Sequence, residues 1–107
     1  MKTKLLLAIL VLSTIANAQI VNIPDANFKS LLVANTSINT NADAEIQTSE
    51  AAAYTGIINA NINRVSIADL TGIEAFTAIT YLNCGGSNSL TSLNVSANTA
   101  LTTAKKL

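Results

Sequence analysis

Between Asn39 and Glu50, oxygen-bearing side chains recur at nearly every second residue. Asn39, Asn41 and Asp43 hold the first, third and fifth places of this run, Glu45 the seventh, Gln47 the ninth and Glu50 the twelfth. That is the spacing of an EF-hand calcium loop, in which alternate residues of a tight turn point at one centre. Calcium takes roughly six to eight oxygens at about 2.3–2.6 Å, and here Glu45 supplies its carbonyl, Gln47 acts through a water and Glu50 gives a bidentate carboxylate. Ile46 at the eighth place is the usual apolar residue. Two positions depart from the template. Asn39 stands where a charged Asp is usual, and Ala44 stands where glycine makes a sharp turn with positive φ. Alanine pays about 1–2 kcal/mol to copy that turn. The competing reading is an Asn-rich loop that only joins two helices.

Other chemistry is scarce. The chain has no histidine, which removes His-based acid–base catalysis, His-activated nucleophiles and His metal ligation. Asp43 with Glu50, or Asp69 with Glu74, are the only carboxylate pairs to consider. The first pair is better explained by the loop, and Asp69 reads as a turn residue. No nucleophile or acid–base set is assembled, so the chain is not expected to be an enzyme. The single cysteine, Cys84, has no internal partner. It sits in an inward-facing column and reads as a small buried hydrophobe, with an intermolecular disulfide as the alternative.

The elements around the loop arise from local signals. Asp25 after Pro24 can cap a helix through its carboxylate. Phe28, Leu31 and Leu32 then form one apolar stripe on a helix of about ten residues that fades at Ala34-Asn35. After the loop, Ala51 to Tyr54 is a second short helical run. It stops at Thr55-Gly56, where the glycine is expected in the left-handed C-cap conformation.

From Ile62 onward the pattern becomes repetitive. Ile79-Thr80-Tyr81-Leu82-Asn83-Cys84, Leu90-Thr91-Ser92-Leu93-Asn94-Val95 and Leu101-Thr102-Thr103-Ala104-Lys105-Lys106 align with apolar columns at 79/90/101, 82/93/104 and 84/95, and threonine at 80/91/102. Ile62, Val65 and Ile67 carry an earlier copy. L-x-x-L-x-L is the strand signature of a leucine-rich repeat, a coil being two such halves. Side chains between the inward columns point outward, which nominates Arg64, Ser66, Tyr81 and Asn83 as a partner-binding face. Tyr81 leads, because aromatic residues dominate interface energetics.

The ends and the charge bound the rest. Lys2 and Lys4, the apolar run from Leu5 and the small-x-small Ala16-Asn17-Ala18 have the layout of a cleavable signal peptide over residues 1–18. The chain is 107 residues, so the portion after that leader amounts to one small domain. It splits into a helical cap at 19–58 and repeats at 59–107. Beyond the leader, Lys29, Arg64, Lys105 and Lys106 face Asp25, Asp43, Glu45, Glu50, Asp69 and Glu74, a net charge of −2. That balance argues against a nucleic-acid partner or a polybasic membrane patch, and no apolar stretch after the leader is long enough to span a bilayer.

The order of leader, I-P-D-A-N-F-K helix, N-T-N-A-D-A-E-I-Q-T-S-E-A loop, D-L-T-G-I-E-A-F and L-T-S-L-N-V-S-A-N-T-A-L-T-T resembles the N-terminal region of secreted bacterial leucine-rich-repeat proteins, with an internalin-like D-L-T-G-I start. The resemblance implies an α/β fold: a helix–loop–helix cap followed by a leucine-rich-repeat solenoid of about two coils. It implies a secreted or cell-surface protein that binds a protein or glycan through its array, with a calcium-binding structural module as the alternative. Ala104 and Lys106 break the third block, so the resemblance further implies a truncated copy or a fragment.

Overall fold

A computed structural model of the chain describes residues 19–60, 66–85, 90 and 92–105. The leader at 1–18, Arg64, and most of the early copy at Ile62–Ile67 lie outside them.

Helix α1, Ala26–Val33, forms as the sequence dictates. Asp25 has extended backbone and its Oδ1 accepts from the N–H groups of Asn27 and Phe28, both at 3.0 Å. Phe28 and Leu32 are fully buried and Leu31 is half-buried, which is the stripe expected. Helix α2, Thr48–Ala53, starts three residues ahead of the alanine run. The cause is a reciprocal cap: Gln47 is the N-cap, and its N–H donates to Glu50 Oε1 at 3.0 Å. α2 does not end on a left-handed glycine. Tyr54 caps it in extended conformation, and among the described residues the one glycine with positive φ is Gly72. Gly56 serves close packing instead. A Cβ there would lie 2.6 Å from Tyr54 Oη, whose hydroxyl donates to the Ile57 carbonyl at 2.6 Å.

The rest of the chain supplies a short 3-10 turn, Ile73–Ala75, and three strands of three residues each: β1 Ile57–Asn59, β2 Tyr81–Asn83 and β3 Thr103–Lys105. They form one open parallel sheet in the order β1-β2-β3. Ile57 pairs with Tyr81 and Tyr81 with Thr103, offsets of 24 (57 to 81) and 22 (81 to 103) residues. The recurring threonines take part in the stacking: Thr102 donates to the Thr80 carbonyl through its N–H at 3.0 Å and its hydroxyl at 3.1 Å.

This corrects the expected leucine-rich-repeat solenoid of about two coils. Among the described residues the chain forms two helices and a three-stranded parallel sheet that does not close, with no solenoid of such coils. Two features account for the difference. The block at 90–95, the most regular of the three, contributes no strand at its described positions. In the block at 101–106, Ala104 occupies the column that should be apolar and buried, pairs with Leu82, and is exposed. The first strand of the sheet is Ile57–Asn59, upstream of the copy the spacing suggested.

The helical and strand regions share one core. Phe28, Leu32 and Ile46 from the first join Ile58, Phe76 and Leu82 from the second, each no more than 2% exposed. Two polar ties reinforce the seam. Asp25 Oδ2 accepts from the N–H groups of Ala68 at 2.9 Å and Asp69 at 3.2 Å. Asn27 Nδ2 donates to the Ser66 carbonyl at 2.7 Å. Burial pushes the Asp25 carboxyl up, but its four backbone donors outweigh this and hold its pKa below the ordinary carboxylate range. Gly72, at φ 110°, lies under the N-terminal segment: a Cβ there would be 2.7 Å from Ile23 Cγ1.

Candidate functional site

Two places gather the residues singled out above. The first is the outward face of the sheet. On a strand, successive side chains alternate faces, so Ile58 and Leu82 point into the core while their neighbours point out. The register sets Ile57, Tyr81 and Thr103 in one outward row and Asn59 and Asn83 in the next. Ile57 is 54% exposed, while Tyr81 and Asn83 are half-buried. Asn83 Oδ1 accepts from the Gly85 N–H at 3.0 Å, which fixes its orientation at the strand end.

Of the expected face, Tyr81 and Asn83 therefore stand on one side of β2. Ser66 does not join them. It is exposed, outside any strand, and its carbonyl is bound to α1 through Asn27. Ile57, Asn59 and Thr103 belong to the face and were not foreseen. The signal was present as a 22–24-residue recurrence of I-I-N, Y-L-N and T-A-K, which the more conspicuous leucine blocks obscured.

The second place is the loop from Asn39 to Glu50. Its side chains converge on one another. Asn41 Nδ2 donates to Asp43 Oδ2 at 3.1 Å and to Gln47 Oε1 at 3.0 Å. Gln47 Nε2 donates to the same Asp43 oxygen at 2.8 Å. Glu50 Oε2 accepts from the Asn41 N–H at 3.1 Å and the Thr40 hydroxyl at 3.2 Å. The Glu45 N–H, first, and the Gln47 amide, second, hold the Asp43 carboxyl below its ordinary pKa. Glu45 points away from this group and pairs with Lys29 at 2.5 Å. Asn39 is buried, its Nδ2 donating to the carbonyls of Asp43 at 2.7 Å and Val33 at 3.1 Å. The backbone departs from the template at one point: the left-handed residue is Ala42, at φ 60°, and not Ala44. The loop turns on its fourth residue, so the cost foreseen at Ala44 is not incurred there.

Cys84 is buried and in no disulfide. Among the described residues no group of three or more His, Cys, Asp or Glu side chains could hold a metal ion. No helix among them is long and apolar enough to cross a membrane. No family model matches the sequence, and no curated protein matches it.

Proposed function

We propose that the protein is a secreted or cell-surface binding module, and that the outward sheet face contacts a protein or glycan partner. The observation that carries this is the row Ile57–Tyr81–Thr103. Parallel sheets normally have both faces covered. This one keeps a large aliphatic residue 54% exposed, beside an aromatic ring, with Asn59 and Asn83 in the adjoining row. An apolar centre with polar neighbours is the composition of a recognition patch. The apolar groove between α1 and β1, lined by Leu31, Ile38 and Tyr54, runs up to Ile57 and extends the patch. The order of leader, cap and recurring phrases supports export and a place at the cell surface.

The test is to probe the purified chain against arrays of extracellular proteins and glycans, then to retest each hit with Tyr81→Ala and Ile57→Ser. Loss of at least tenfold in affinity in both variants, with Ser92→Ala unchanged, is expected. Hits that bind all three variants equally would remove the sheet face as the contact surface.

A further inference from the structure

We infer that the loop from Asn39 to Glu50 is a site for a hard, oxygen-seeking divalent cation of calcium's size. The residue that points to it is Asn39. It is 4% exposed, and its Oδ1 is buried without a hydrogen-bond partner among the described residues. A buried carbonyl oxygen left unbonded costs about 1–3 kcal/mol. The amide is held against the loop by its Nδ2, which donates to the carbonyls of Asp43 at 2.7 Å and Val33 at 3.1 Å. The same side chain therefore carries an oxygen that no donor among the described residues satisfies and stands at the first place of the cation-loop spacing.

The charge balance agrees. Asp43 and Glu50 approach the same residue: Asn41 donates to Asp43 from its side chain and to Glu50 from its backbone. Neither carboxylate has an ion-pair partner among the described residues, since Lys29 is spent on Glu45. Two anions are thus held side by side by neutral donors alone. Asn41 and Gln47 present amide N–H groups to Asp43 Oδ2. Each carries an oxygen on the same amide, so rotation exchanges donors for ligands without moving the backbone. Two carboxylates, three amide side chains and a backbone carbonyl give the oxygen count a calcium ion takes. With only two formal charges the site belongs with extracellular modules, at a Kd of about 10⁻⁴–10⁻³ M. The ion would lie in the loop and leave the sheet face untouched, so this site stands or falls apart from the binding function.

The experiment is a thermal melt of the secreted chain in chelator, in about 10 mM calcium and in about 10 mM magnesium. Calcium is expected to raise Tm by roughly 5–10 °C and magnesium by clearly less. Asp43→Asn, whose side chain is exposed, should abolish the calcium rise, and Glu45→Gln should keep it. Asn39→Asp should lower Tm in chelator and bind calcium several-fold more tightly, measured by calorimetric titration. No rise with calcium, an equal rise with magnesium, or a rise that survives Asp43→Asn would each overturn the site.

Discussion

Asn39 and Asn83 carry the same side chain into opposite circumstances. In the helical region α1 and α2 are short, and the long connection between them has few backbone bonds of its own. Side-chain amides supply the missing donors: Asn39 ties the carbonyls at 33 and 43 together, and Asn41 and Gln47 brace Asp43. In the sheet region the parallel ladder already pairs the backbone. Asn83 accepts from the next turn and is half-buried at the strand end. Where the chain lacks regular structure, polar side chains become scaffold. Where it has a ladder, they are not needed to pair the strands.

Three perturbations separate the regions further. The largest expected effect is in the shared core. Phe28→Ala and Phe76→Ala, both at fully buried positions, should each cost about 3–5 kcal/mol. If the two regions form one cooperative unit, urea unfolding monitored by circular dichroism gives a single transition that moves down in both variants. Two transitions, with only one displaced by each variant, would show that the regions unfold separately.

Next comes the seam. Asp25→Ala removes an N-cap and the acceptor for two N–H groups more than 40 residues away, a loss of about 2 kcal/mol. Because the folded pKa of Asp25 lies below its unfolded value of about 3.9, its contribution is fully present above that pH. It is lost as pH falls through the folded value. Wild type should therefore lose stability below about pH 4 more steeply than Asp25→Asn, and parallel curves would show that the carboxylate contributes nothing beyond its amide isostere.

The smallest effect belongs to the face. Ile57→Thr should change Tm by no more than a few degrees, since the side chain is more than half in water and threonine suits a strand. A large drop would mean that Ile57 is structural and not a contact residue.

The helical region was more legible in the sequence than the sheet. Asp25, Phe28 and Leu32 act locally, and the rules for caps and apolar stripes need only a few neighbouring residues. The start of α2 was missed because the cation-loop spacing of Gln47 and Glu50 obscured the reciprocal cap that the same two residues form. The sheet was misjudged for the opposite reason. Strands of three residues leave almost no periodic signal, and pairing across 22 or 24 residues is decided by what the intervening chain packs against. The leucines at 90, 93 and 101 did find the core or its margin, but burial alone did not make a strand of the described residues 90 and 92–95. In the loop, Asn41, Asp43, Gln47 and Glu50 converge from the spaced positions, whereas the turn at Ala42 could not be read from any residue type.

The double grip of Asp25 also sets an order of events during synthesis. The chain emerges from its amino end, so α1 and its cap can form as soon as the first few dozen residues are free. At that stage one carboxylate oxygen is engaged and the other faces water. It stays so until Ala68 and Asp69 emerge, and the seat on Gly72 under Ile23 arrives only just after. The sheet comes later still, since β2 at Tyr81–Asn83 and β3 at Thr103–Lys105 follow this turn. A nascent chain stalled before residue 70 therefore has the cap of α1 but lacks Phe76 and Leu82, which complete the core around Phe28 and Leu32.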